Sequence, residues 1–197
     1  MDVSRETEAL LNLYVALIRQ WNPAINLVAP GTLDDLESRH IVDSAQLVDF
    51  ADPQEGRWID FGSGGGLPGI VVAILVRDKP ISVTLIESDK RKSAFLMTVR
   101  RELGLTNLTI KPVRIEALAK DNHAFASARA LAPLSDLLPH LHDQLAQQGE
   151  AWLLKGRSWE QEVILARKAW SFDLQTYESR TDPKSVVMKL RNIKPNA

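Results

Sequence analysis

The sequence contains no cysteine. That excludes a disulfide framework, a thiolate metal site and a cysteine nucleophile. It fits a reducing compartment, and a cytoplasmic location is expected. Long hydrophobic runs are missing as well. The stretch from Ile70 to Val76 is far short of the roughly 20 apolar residues that a membrane-spanning helix needs. The first residues include Asp2, Arg5, Glu6 and Glu8 rather than a basic segment followed by an apolar one, so no secretory signal is expected.

An excess of charge of either sign is lacking too. Lysine and arginine number 24 against 25 aspartates and glutamates, for a net charge of -1. Free nucleic-acid binders are usually basic, so the balance weighs mildly against an RNA partner. A local basic patch can still serve a neutral protein. Repeats and low-complexity segments are absent, as are a phosphate-binding Gly-Lys-Ser loop and a nucleophile elbow. Of the four histidines, His40, His123, His140 and His142, the last two form a His-x-His pair. No carboxylate or cysteine pattern completes a metal site around them, and no metal is expected.

What is present suits one compact unit: 197 residues, 45% hydrophobic and 25% charged. Residues 1–52 read as a helical extension. Leu10, Leu13, Tyr14, Leu17, Ile18 and Trp21 recur at helical spacing, and Asn22-Pro23 should break that helix. A second helix is predicted from Asp34 or Asp35, carrying Arg39, His40, Asp43 and Ser44. Over residues 53–197, apolar strands alternate with helical stretches. Strands are predicted at 58–61, 83–86, 108–111, 125–130, 151–154, 172–177 and 185–191. Helices are predicted at 68–77, 90–103, 135–148 and 158–170, with Gly104 and Gly149 as stops. This alternation implies an α/β fold with a mostly parallel sheet covered by helices on both faces.

The strongest signal is Asp60-Phe61-Gly62-Ser63-Gly64-Gly65-Gly66-Leu67-Pro68-Gly69, between a predicted strand and a helix. Ligands bind at the carboxyl ends of the strands in such sheets, and glycines let the backbone approach them closely. Gly64, Gly66 and Gly69 also satisfy the dinucleotide fingerprint. Asp60, still on the first strand, argues against it, because its carboxylate would sit near an anionic pyrophosphate. A carboxylate there resembles the acidic residue of the first methyltransferase motif. Glu87, at the end of the second strand, can accept both ribose hydroxyls of a nucleoside, under either reading. Glu116 and Arg129 follow later strands on the same sheet edge. Ile115 and Glu116 are candidates to lie against an adenine, and Arg129 suits a cofactor or a phosphate. Surface positions would look the same in sequence. Basic residues fall in three groups: Lys90, Arg91, Lys92, Arg100 and Arg101; Lys155, Arg157, Arg167 and Lys168; and Lys184, Lys189, Arg191 and Lys194. Each is a candidate for RNA phosphates or simply a solvated face.

The segment Asp60–Gly69 resembles the signature of the glucose-inhibited division protein B family, above all in its Leu67-Pro68-Gly69 ending. Residues 21–27 (Trp-Asn-Pro-Ala-Ile-Asn-Leu), 39–44 (Arg-His-Ile-Val-Asp-Ser), 127–130 and 154–156 resemble further blocks of that family, in the same order. Phe61, Gly65 and the Ser127-Ala128-Arg129 spacing depart from its commonest pattern. The resemblance implies a Rossmann-like class I methyltransferase fold with a seven-stranded sheet. It further implies transfer of a methyl group from S-adenosylmethionine to ring nitrogen seven of a guanine in 16S ribosomal RNA. Cofactor contacts would come from Asp60, Gly62, Gly64, Leu67, Glu87, Ile115, Glu116 and Arg129. Asn26, His40, Asp43, Lys155 and Gly156 are candidates for the substrate side. The partner would be 16S RNA or a small-subunit particle, and the enzyme a monomer. Guanine nitrogen seven carries a free lone pair, so no general base is needed and none is expected. The competing readings are a nicotinamide-dependent oxidoreductase and a non-catalytic RNA-binding assembly factor.

Overall fold

The computed structural model describes residues 3–196. Helix α1 (Arg5–Ile25) opens at Ser4, whose hydroxyl accepts from the Thr7 amide at 3.2 Å, with Glu6 and Glu8 in the first turn. Carboxylates there complement the positive end of the helix. The helix does not break at Asn22-Pro23. It runs through Pro23 to Ile25 and closes on Asn26, in the left-handed conformation at φ 48°. Proline lacks the amide for one ladder hydrogen bond, and here only two residues follow it, so little helix remains for a kink to redirect. Asn22 Oδ1 instead accepts from the Val28 amide at 2.8 Å and starts the next segment.

The second helix opens with a π-helical stretch, Leu36–Ile41, that runs into α2 (Val42–Ala51). Asp35 precedes it but makes no side-chain cap. A π segment widens the helix and shifts the phase of the turns after it. Here it carries His40 just ahead of Asp43, and both face one cleft.

Seven strands form one sheet: β1 (Gly56–Phe61), β2 (Ile81–Ile86), β3 (Leu108–Lys111), β4 (His123–Arg129), β5 (Leu145–Lys155), β6 (Trp170–Glu178) and β7 (Val186–Pro195). The order is β3-β2-β1-β4-β5-β7-β6. The first five strands are parallel, and β7 runs antiparallel to both β5 and β6. Helices α3 (Gly69–Leu75), α4 (Lys90–Glu102), α5 (Leu134–Gln144) and α6 (Trp159–Ala166) cover the two faces.

Alternation along β1 divides the core. Trp58 joins Tyr14, Ile18, Ile70, Leu85 and Phe95 on one face, while Ile59 and Phe61 pack with Leu134, Leu138 and Leu153 on the other. Each such side chain contributes about 1.5–3 kcal/mol of burial. Helix α1 thus shares its apolar face with the sheet.

Element boundaries shift from the sequence reading by several residues in places, notably at the ends of α5 and α6. Helix α5 ends at Gln144, and residues 145–148, predicted as helix, begin β5. Gly149 lies inside that strand, where a Cβ would stand 2.8 Å from the His123 carbonyl. Glycine here permits close approach at the register shift between His123 and Phe125, and does not stop a helix. Helix α6 likewise ends at Ala166, and Trp170 opens β6.

Candidate active site

Two cavities adjoin at the carboxyl ends of the parallel strands. The smaller, about 400 Å³, is lined by Glu87, Ile115, Glu116, Ile86 and the glycine loop. The larger is a cleft of about 1640 Å³ between the glycine loop, the His40–Asp43 turn, Lys155–Ser158 and the 180–186 segment. Gly62 and Gly64 line both. Their φ values of 61° and 57° belong to the left-handed region that glycine tolerates. A Cβ on Gly62 would also collide with Leu131.

The loop is held from three sides. Glu87 Oε2 accepts from the Gly64 amide at 2.7 Å, and Oε1 accepts from the Asp89 amide at 2.7 Å. Tyr14, fully buried on α1, donates to the Gly65 carbonyl at 2.6 Å. Ser63 donates to the Asp60 carbonyl at 3.1 Å. The sequence reading counted Tyr14 only as a core residue, because its helical spacing is apolar and gives no sign of the hydroxyl's partner.

Asp60 lines neither cavity. It is fully buried beneath the loop, where Oδ1 accepts from Ser127 at 2.6 Å and Trp58 donates to that same hydroxyl at 2.9 Å. Oδ2 has no hydrogen-bond partner among the described residues. It faces the start of α3, close enough for the Gly69 amide to favour its charge without meeting hydrogen-bond geometry. Burial dominates and pushes the carboxyl up to about 6, against the opposing pull of Ser127, Ser63, Gly69 and Arg129. Asp60 therefore supports the loop from behind.

In the larger cleft, Arg129 Nη1 lies 2.7 Å from His40 Nδ1, and Asp43 Oδ2 is 4.0 Å away. A guanidinium can only donate, so His40 Nδ1 accepts and the ring is neutral. Nε2 then carries the proton and donates to Thr32 Oγ1 at 2.8 Å, and Thr32 donates to the Ala29 carbonyl at 2.8 Å. Burial, then Arg129 and Arg39, push the imidazole down to about 4. Burial lowers the Arg129 pKa, and Asp43 opposes that.

The remaining substrate-side candidates separate. Asn26 lines neither cavity and serves as the left-handed cap of α1. Asp43 lines the cleft, yet its Oδ1 is taken up by Thr181 at 2.9 Å, Gln46 at 2.8 Å and Ser179 at 3.4 Å. With the Arg180 amide on Gln46 Oε1 at 3.1 Å, it ties the β6–β7 turn to α2. Burial raises the Asp43 carboxyl, against those hydrogen bonds and Arg129. Lys155 is buried, donating to the Ala132 carbonyl at 2.9 Å and to Glu162 at 2.7 Å. Gly156 lines the cleft with open space around it.

Of the three basic groups, only Lys92, Lys155 and Arg157 reach the cleft, where Arg39, Arg129 and Arg180 join them. Lys189 and Arg191 pair with Glu150 elsewhere. Among the described residues no cluster of histidines and carboxylates could hold a metal ion.

Comparison with known proteins meets this geometry. The fold resembles a SAM-dependent methyltransferase from Aquifex aeolicus, at a TM-score of 0.62 and 13% identity over 89% of this chain and 97% of that one. A "Ribosomal RNA small subunit methyltransferase G" from Paracoccus denitrificans is 49% identical over 98% of this chain and 99% of its own length. One of the same name from Ruegeria sp. is 46% identical, over 98% and 94%. The family model described as "rRNA small subunit methyltransferase G" matches residues 7–187. Fold, glycine loop and near-full-length relatives agree: the chain belongs to the GidB family of small-subunit rRNA methyltransferases.

Proposed function

We propose that this chain transfers a methyl group from S-adenosylmethionine to N7 of a guanine in 16S ribosomal RNA, acting as a monomer in the cytoplasm on the RNA or a small-subunit particle. The observation that carries the reading is the junction at Gly62 and Gly64. A compartment of nucleoside size bearing Glu87 opens there into a larger, cation-rimmed cleft.

The residues fit the cofactor. Glu87 keeps unused lone pairs on a carboxylate already fixed by two amides, which suits a ribose diol. Ile115 supplies an apolar wall for a base, and Glu116 stands beside it. Glycines at 62 and 64 leave the crossing free of side chains of their own. Leu67 is buried at the large-cleft end of the loop. When bound, the cofactor supplies a methyl group on a sulfonium, which departs as a neutral thioether.

The protein's part is positioning and exclusion of water. The acceptor nitrogen needs no deprotonation, which agrees with a cleft whose one histidine is neutral and already bonded on both ring nitrogens. Arg129, held by His40 and Asp43, keeps a cation fixed at the cleft floor, where a guanine edge or phosphate can meet it. Arg39, Lys92 and Arg157 line the cleft without an ion-pair partner among the described residues, and suit RNA phosphates. No helix among the described residues is long and apolar enough to cross a membrane.

The test is methyl transfer from radiolabelled S-adenosylmethionine to 16S RNA and to small-subunit particles from a strain lacking this protein. Label in 7-methylguanosine at one site is expected, and Gly62→Ala should abolish it. Cofactor binding without transfer to any of these substrates would remove the ribosomal assignment.

A further inference from the structure

The two compartments meet at residues that line both: Gly62, Gly64, Lys92, Ala130 and Leu131. Leu131 is the one large apolar side chain among them. It is 40% exposed, and it packs directly over Gly62, so that a Cβ on that glycine would strike it. A ligand that fills both compartments must pass alongside Leu131 where it rests on the glycine turn.

Leu131 is held there by its backbone neighbours. Ala130 adopts φ 48°, a left-handed conformation that a residue with a Cβ takes up only when its surroundings impose it. On the other side, Lys155 donates to the Ala132 carbonyl at 2.9 Å. Glu162 Oε2 accepts from both Lys155 at 2.7 Å and the Leu134 amide at 2.9 Å. A partly buried ion pair thus fastens residues 130–134 as a tongue. Arg129, at its root, is fixed by His40.

We infer that Leu131 is the apolar wall of the crossing, and that the Lys155–Glu162 pair is a positioning device for it. This rests on the methyltransferase reading. The nucleoside then occupies the smaller compartment, and the rest of the cofactor passes Leu131 into the RNA cleft. Leu131 keeps water off the ligand at the point where a charged centre passes between the two spaces. Apolar surroundings strengthen the electrostatic demand for charge to leave that centre. Lys155, matched by sequence to the substrate side, acts on the substrate only through the tongue.

The test measures binding of S-adenosylhomocysteine, which spans both spaces, and adenosine, which fills only the smaller one. Both are titrated calorimetrically into the full chain. Leu131→Phe is expected to weaken S-adenosylhomocysteine by about tenfold or more and adenosine by less than about threefold. Leu131→Ala should weaken adenosine by less than about threefold and lower kcat by about fivefold or more, with the KM for RNA unchanged. Glu162→Gln, which loosens the tongue without touching the crossing, should reproduce the kcat loss in smaller measure. Equal losses for both ligands in Leu131→Phe, or none in either, would overturn the inference. Failure of adenosine to bind the unaltered protein would do the same. If the unaltered protein binds adenosine but not S-adenosylhomocysteine, the methyltransferase reading falls, and this inference with it.

Discussion

His40 accepts a hydrogen bond from Arg129 on Nδ1 at 2.7 Å, and that contact fixes the ring's tautomer, with the proton on Nε2. The imidazole joins two parts of the cleft. Through Nδ1 it steadies the guanidinium at the end of β4, and through Nε2 it pins the Pro30–Thr32 turn. Protonation would turn the acceptor into a donor facing a cation.

The buried position of His40, together with this contact, makes stability depend on pH. His40 is pushed from 6.5 down to about 4 in the folded protein, first by burial and then by Arg129 and Arg39. The unfolded chain therefore takes up the proton first. Stability from neutral His40 is complete above pH 6.5 and is lost as pH falls toward 4. His40→Gln keeps an acceptor but cannot titrate. Urea unfolding at pH 7 and pH 4.5 should show the variant losing about 1–2 kcal/mol less than the unaltered protein, discounted for partial exposure. Equal losses would show that His40 does not titrate as described.

Asp60 works in the opposite sense. Its folded pKa of about 6 lies above the ordinary 3.8, so the folded state binds the proton first and stability rises as pH falls through 6. Above that pH the charged carboxylate is a cost. Asp60→Asn keeps an oxygen for Ser127 and removes the charge. At pH 8 and without ligand it should be more stable by about 1–2 kcal/mol in urea, and the gain should vanish near pH 4. A destabilised variant at pH 8 would mean that Oδ2 has a partner that the geometry does not show.

Tyr14→Phe tests the tie between α1 and the glycine loop. It deletes the hydrogen bond to the Gly65 carbonyl at 2.6 Å and leaves that carbonyl without this donor. A stability loss of about 1–2 kcal/mol is expected, with S-adenosylhomocysteine binding weakened about three- to tenfold. Unchanged affinity would show that the loop holds its shape without α1.

Arg39, Lys92 and Arg157 are expected to contact phosphates. Replacing any one by alanine should reduce the slope of log binding constant against log salt by about 0.7–0.9 in RNA titrations. Lys194, which lines neither cavity, should leave the slope unchanged on the same replacement.

The alternation of strands and helices was legible because each element carries its own period. Bulky 58–61 before glycines and β-branched 83–86 can hardly be read otherwise. The loop and Glu87 were legible because glycines needing left-handed backbone leave a mark in sequence. Where a tertiary contact decides, the sequence misleads. Gly149 looks like a helix stop, and only the neighbouring His123 carbonyl reveals a strand crossing. Asn26, Asp43 and Lys155 are polar residues in matched blocks, and nothing local says that a cap, a turn anchor and a tongue latch occupy them. Leu131 was invisible because a leucine after a strand carries no signal of what it faces.

The anchoring of the β6–β7 turn on α2 has a consequence for synthesis. Every residue lining the smaller compartment has been made once translation reaches Leu131, but the far wall of the cleft needs Arg180 to Val186. Those late residues are received by Asp43 and Gln46, among the earliest. A chain emerging from the ribosome can thus shape the smaller compartment well before it can close the larger cleft. The larger cleft, proposed to receive RNA, is closed only when residues 180–186 meet Asp43 and Gln46.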